Sequence, residues 1–517
     1  MYPGHWAEVF PEKTAAVDSA TGARRTYGEL NDRSNRLAQF LFGLGLRRGD
    51  HISILAENRL AWFDVVWAAL RSGLYLTTVN RHLTGDEAGY ILDDSGSQVL
   101  VATRALADVA RRLPARAPAC RAWLMLDGAI DGYRDFEEAI AACPAGPLAE
   151  EPTGGVMLYS SGTTGRPKGV LRPLPDASVS EEVGPIRALQ STLWGFDEDA
   201  VYLSPAPLHH AAPLSFVIGV QSLGGTVVVM PRFDPAGALR AIEEYGVTHS
   251  QWVPTMFSRM LKLDESERTR HDLSSHRVAI HAAAPCPPKV KEQMFDWWGR
   301  IIYEYYAGTE VNGLTHTGPD EWFEHRGTVG RPVMGVVHVC GGDGAELPAG
   351  ETGLVYFETP TRPFEYLNDP EGTRQAQHPE HANWTTLNDV GHVDADGFLY
   401  LTDRATHMIV SGGVNIYPQE VENVLILHPK VLDVAVVGTP DDDMGEEVRA
   451  IVQPAEGAVP GPELEAELVA FAREHIAHYK CPVAVDFRDE LPRLPTGKLY
   501  KRFLRDEYWG GRGSRIV

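Results

Sequence analysis

The chain has 517 residues, of which 44% are hydrophobic and 23% charged, and its formal net charge is -23. That length and apolar content predict more than one globular unit, while the acidic balance excludes a nucleic-acid protein, which would show a basic excess on at least one domain. A phosphate-bearing ligand is not excluded, because local donors outweigh a distant net charge that salt screens.

Five scattered cysteines (Cys120, Cys143, Cys286, Cys340 and Cys481) show neither CxxC nor Cys/His ligand spacing. No disulfide frame or zinc site is expected, and a reducing, cytoplasmic setting is the simplest reading. The amino end, MYPGHWAEVFPEK, lacks an apolar h-region, so no secretory signal is expected. The apolar run Leu214–Met230 is short for a span and is split by Gly224-Gly225, so no transmembrane segment is predicted.

In chain order, Thr26 and Glu29 read as a capping box ahead of Leu30, Leu37, Leu41 and Leu44 on one helical face. A strand is predicted at 51–58, a helix around 60–72 and the strand LYLTTV after it. Further strands follow at 99–103 and 156–160, a helix near 211–223, a strand at 226–230 and a helix at 235–245. Helices alternating with short apolar strands predict an α/β fold with parallel sheets covered on both faces. The segment 172–196 reads either as a lid over a bulky substrate or as a surface loop.

From about Val329, short strands with Gly-rich turns predict a smaller, mostly antiparallel β unit. After Arg404 the pattern is α+β: strand HMIVSG, helix PQEVENVLILH, strands VLDVAVVGT and VRAIVQP, and a helix at 462–478. The expected organisation is a large N-terminal domain, 1–403, and a small, mobile α+β C-terminal domain, 404–517. That second domain ends in a basic patch of Arg493, Lys498, Lys501, Arg502 and Arg505.

The segment from Tyr159 to Gly169, YSSGTTGRPKG, directly follows an apolar strand. Gly162 and Gly165 permit backbone conformations that gather N–H groups; Ser160, Ser161, Thr163 and Thr164 add hydroxyls and Lys168 a charge. Such a loop can wrap a polyphosphate. It does not fit the Walker pattern, because Pro167 hinders a helix there and no Lys-Ser/Thr pair follows the glycine gap. The loop instead resembles the phosphate-binding signature of the adenylate-forming superfamily, which includes acyl-CoA synthetases, peptide-synthetase adenylation domains and luciferases. Further motifs recur in that family's order and spacing over nearly the whole chain.

Tyr305-Tyr306-Ala307-Gly308-Thr309-Glu310 is similar to the family's Tyr-Gly-x-Thr-Glu motif, with Ala307 in place of the usual glycine. The resemblance implies Tyr306 against adenine, Thr309 near the α-phosphate and acyl carboxylate, and Glu310 on Mg²⁺ together with Thr163 of the loop. Ala283-Ala284-Pro285 resembles the adenine-lining turn. Asp389 in TLNDVG resembles the ribose-binding carboxylate, with Asn388 where glycine is usual, and Arg404 the arginine that also reaches the ribose. Thr406 falls on the interdomain hinge, where the family often has Asp or Lys.

Gly412 and Gly413 resemble the border of the channel for the pantetheine arm of coenzyme A, with Lys480 as a further contact. Lys498, in PTGK, matches the lysine that neutralises charge during adenylation. Pro207-Leu208-His209-His210 resembles the segment beside the acyl pocket: His210 takes the place of an aromatic gate, and His209, Trp194, Phe196, Trp252 and Val253 are further pocket candidates.

The resemblance therefore implies an acyl-CoA ligase using ATP, Mg²⁺ and coenzyme A to form a thioester from a hydrophobic carboxylic acid through an acyl-AMP. Self-association into a homodimer is compatible with it. Two alternatives stay open: an enzyme that only performs the thioesterification of a preformed acyl-AMP with coenzyme A, releasing AMP, suggested by Asn388 and the unusual hinge, and a non-catalytic nucleotide or acyl-AMP binder.

Overall fold

Parallel strands feeding loops at one edge dominate the architecture, a computed structural model that describes residues 2–160, 167–182, 184–404, 407–412, 414–441, 444–493 and 499–510. Among these residues there are four sheets, the first nine-stranded and the second eight-stranded. In the first, Val201–Ser204, His249–Trp252, Val278–His281 and Ile302–Tyr306 lie side by side and parallel. In the second, Gly155–Ser160 pairs in parallel with Tyr75–Thr78, which pairs with His51–Leu55 and, beyond it, Val99–Thr103. Both faces are covered, so these strands are mostly buried, with polar residues such as Ser53, Thr77, Ser250 and Gln251 among the apolar ones.

The helix Ala61–Arg71 is buried at every position and belongs to one apolar core shared by the two sheets, from Ile52 and Val99 to Val227 and Ile280. Each fully buried aliphatic side chain there stabilises the fold by about 2 kcal/mol. The predicted strand 51–58 stops at Leu55 because Asn58 has another task. Its amide donates to the carbonyls of Ala206 and Met230 at 3.0 and 2.9 Å and accepts from Leu208 N–H at 2.8 Å, which ties the edges of the two sheets together. The capping box at Thr26 and Glu29 is formed as expected.

The strands Val336–Cys340, Gly353–Glu358, Trp384–Val393 and Leu399–Arg404 make the expected antiparallel β unit. Gly330 holds its approach: its φ is +100°, and a Cβ there would overlap the backbone of His316. Backbone cannot swing aside, so Gly330→Ala is expected to cost about 3 kcal/mol. Urea unfolding checks this, and an unchanged midpoint would contradict so close an approach.

The small C-terminal domain has its own core beneath a sheet of Ile409–Ser411, Val414–Ile416, Val431–Asp441, Gly445–Pro454 and Ala484–Phe487. Its first helix, Pro418–Leu425, is shorter than predicted because Pro429 disfavours helix in the residue before it. The helix predicted at 462–478 ends at His475, where Ile476 turns extended. Part of 172–196, expected as a lid or a surface loop, is the helix Pro185–Trp194, whose last residue is buried. Among the described residues no helix is long and apolar enough to cross a membrane.

Candidate active site

The motifs meet because the chain leaves neighbouring parallel strands at the same edge. His209 and His210 follow strand Val201–Ser204; Trp252 and Val253 end His249–Trp252; Ala283 follows Val278–His281; and Tyr305 to Glu310 end Ile302–Tyr306. The carboxyl edge of a parallel sheet is where open α/β folds bind ligands. Three non-glycine residues beside this edge, Ala283, Val311 and Asn388, hold positive φ of 75°, 51° and 63°. Backbone strain of this kind, of order 1–3 kcal/mol each, clusters at functional sites.

A cavity of about 230 Å³ lies between the two domains, and Ala283, Ala284, Pro285, Tyr305, Tyr306, Ala307, Gly308 and Asp389 all line it. Tyr306 donates its hydroxyl to Asp389 Oδ2 at 2.5 Å. The small domain closes the other side. Its Gln419 N–H donates to Asp403 Oδ2 at 3.2 Å, and the buried Lys501 pairs with Glu422 at 2.9 Å and stands 3.8 Å from Asp403. From the large domain, Lys262 donates to the carbonyls of Val431 and Leu432, and burial pushes its ammonium down to about 8.

In the wall of this cavity Glu304 forms a buried ion pair with Lys291 at 2.6 Å. Burial alone would raise the Glu304 carboxyl, but its charged and hydrogen-bonding neighbours outweigh that and hold it at about 2. His281 is 3.3 Å away, yet burial lowers its own imidazole. His281 and Lys291 together, His281 the more, hold Glu304 ionised.

A second cavity, of about 340 Å³, runs along the helix Pro185–Trp194. Ile186, Leu189, Trp194, Phe216, Trp252 and Val253 give it apolar walls, and His209 and His210 line it with their rings 4.2 Å apart. Burial, with His210, His82 and Arg81 nearby, drives His209 well below its ordinary range, so it is neutral at pH 7. Phe196, a pocket candidate from the sequence, instead stacks on His249 at 4.1 Å inside the core. Ser160, Lys168, Thr309, Glu310 and Asn388 line this same cavity.

The phosphate-loop residues Ser161, Gly162, Thr163, Thr164 and Gly165 lie outside the described residues, as do Thr406, Gly413, Lys498 and the side chain of Arg404. The loop's two ends are described. Ser160 and Lys168 are opposite one another in an antiparallel ladder, so the loop springs from a closed hairpin. Glu310 is buried, and its Oε1 accepts from Tyr366 at 2.9 Å, while among the described residues no donor reaches Oε2. A carboxylate with one oxygen left for a ligand, beside a hydroxyl-rich loop, is a donor set that fits Mg²⁺.

Gly412 and Lys480 line neither cavity. Gly412 lies in the small-domain turn at φ +56°, beneath Met444, and Lys480 is paired with Glu420. Tyr500, two residues after Lys498, does line the second cavity, and Leu499 the first. Sequence reading missed Tyr366, Lys291, Glu304 and Lys262. Only Tyr366 carried a signal, the turn cluster Asn368-Asp369-Pro370 just after it.

Known proteins share this organisation. The AMP-binding enzyme family matches residues 4–364, and the AMP-binding enzyme C-terminal domain matches residues 420–498. A long-chain-fatty-acid–CoA ligase of Mycobacterium tuberculosis is 32% identical over 517 residues, covering 97% of each chain. A feruloyl-CoA synthase of an Amycolatopsis species is 33% identical over 515 residues, covering 98% of each. The crystal structure of an anthranilate CoA ligase in complex with anthranoyl-AMP superposes with a TM-score of 0.83 at 25% identity, over 98% of this chain and 96% of that one. The chain belongs to the AMP-binding, adenylate-forming enzyme family, and it is an acid–thiol ligase.

Proposed function

We propose that the enzyme joins a hydrophobic carboxylic acid to coenzyme A through an acyl-AMP, carrying out both half-reactions. One observation supports this most: the two cavities share a wall made of Ala283, Tyr305, Ala307, Gly308 and Leu387. A mixed anhydride lying across that wall has adenosine on the interdomain side, with Tyr306 and Asp389, and its acyl group on the apolar side, with Trp252 and Val253. The apolar cavity is large enough for a ring or a medium chain.

In the first half-reaction the acid's carboxylate attacks the α-phosphate and pyrophosphate leaves. Catalysis is positioning plus electrostatics. The phosphate loop with Lys168 holds the polyphosphate, Thr309 orients the reacting groups, and Lys498 brings positive charge. Glu310 and Thr163 would hold Mg²⁺, which when bound supplies further charge to the phosphate oxygens. In the second half-reaction the small domain swivels about 404–406, bringing Gly412, Gly413 and Lys480 to the thiol's path, while His210 gates the acyl side.

Asn388 supports retention of the first step. It holds φ +63°, the region a glycine would adopt, and asparagine is among the residues that tolerate it best. The strand just before Asp389 therefore keeps this conformation without glycine. An acyl panel assayed for acyl-CoA by mass spectrometry, with ATP and separately with synthetic acyl-AMP, tests the reading. Product in both arms is expected; product from acyl-AMP alone would reduce the enzyme to one that performs only the thioesterification, and none in either would leave a binder.

A further inference from the structure

A segment distant in sequence is sewn onto the phosphate loop's exit strand. Glu365–Tyr366 pairs antiparallel with Lys168–Leu171, Tyr366 opposite Val170, and Leu367 N–H donates to Gly169 O at 2.8 Å. From this anchor the Tyr366 hydroxyl reaches across to Glu310 Oε1 at 2.9 Å. Asp369, which caps the helix Pro370–Gln375 through Gly372 N–H, pairs with Lys168 at 2.8 Å. The Lys168 ammonium stands 4.9 Å from the centroid of the Tyr366 ring. Gly372 makes room for this, since a Cβ there would overlap Lys168 Nζ.

The chemistry of the chain of contacts is directional. A cation over the ring face is attracted by it and draws charge from the phenol, which makes its O–H a better donor. A hydrogen bond to one carboxylate oxygen stops the group rotating and leaves the other oxygen, with its lone pairs, on a fixed bearing. Partners that orient a ligating carboxylate in this way typically change metal affinity by 10- to 100-fold when removed.

We propose that Tyr366 is a positioning residue for Glu310: its hydroxyl holds Oε1 so that Oε2 is presented to the divalent cation, and its ring ties that carboxylate to the lysine of the phosphate loop. The assignment presupposes adenylation at this site. Tyr366 also lines the second cavity; the role assigned to it acts through Glu310.

Tyr366→Phe keeps the ring, the strand and the contact with Lys168 and removes only the hydroxyl. Mn²⁺ binding to the enzyme with a non-hydrolysable ATP analogue, followed by electron paramagnetic resonance, is expected to weaken by about tenfold. The Mg²⁺ concentration for half-maximal ATP–pyrophosphate exchange is expected to rise by the same factor, with KM for the acid within about twofold. Equal Mn²⁺ affinity in the two proteins would overturn the proposal, as would lost exchange with an unchanged Mg²⁺ dependence, which marks a structural stitch only. If the parent enzyme binds Mn²⁺ and nucleotide but exchanges no pyrophosphate, the adenylation reading fails, while the Mn²⁺ comparison still decides the role of Tyr366.

Discussion

Lys498→Ala is expected to lower acid-dependent ATP–pyrophosphate exchange by about 10²- to 10³-fold, the usual effect of removing one preorganised donor, and to spare thioester formation from synthetic acyl-AMP. The asymmetry follows from where charge develops. Adenylation gathers negative charge on phosphate oxygens that a lysine can neutralise, whereas the second step displaces AMP from an anhydride already made. The neighbours of Lys498 support this assignment. Tyr500 and Leu499, just after Lys498, line the two cavities, while Gly412 and Lys480 line neither. Rapid-quench assays of each half-reaction check the expectation, and an equal loss in both would contradict the division of labour.

Lys291→Met is expected to destabilise the large domain by about 3–5 kcal/mol at neutral pH, because it strands a buried carboxylate. The pH dependence is more diagnostic than the size. In the parent, Glu304 sits at about 2 against an unperturbed 4.5. Its contribution is complete above pH 4.5 and is lost as the pH falls toward 2. Without Lys291 one of the two neighbours that offset burial is gone while His281 remains, so the carboxyl moves up from about 2 and the acid-dependent part of its contribution shrinks. Urea unfolding across pH should therefore give a shallower loss of stability in acid than in the parent, and adding Glu304→Gln should recover part of the loss. Parallel curves would show that Lys291 is not the partner that matters.

Much of this was legible in the sequence, and the reason is local. The capping box at Thr26, the helix Ala211–Leu223 and the strand Val99–Thr103 announce themselves by caps and periodicity, which neighbours along the chain determine. The motifs at Ser160, Ala283, Tyr305 and Asp389 were legible through their resemblance to the family's short residue strings. The helix Pro185–Trp194 escaped although Pro185 at its start and Gly195, left-handed at its end, frame it. Polar residues on either side hid the period. The alliance of Tyr366 with Val170 and Glu310, and that of Lys291 with Glu304, could not be read at all, because they join segments that only tertiary packing brings together.

The most direct test of the whole scheme uses the acid that gives the strongest thioester signal, prepared with both carboxylate oxygens isotopically heavy. Formation of an acyl-adenylate requires one of those oxygens to bridge to the α-phosphate and to leave with it. Mass spectrometry of the AMP released in a single turnover with coenzyme A should show one heavy oxygen per molecule. Heavy oxygen in inorganic phosphate, with none in AMP, would contradict the account.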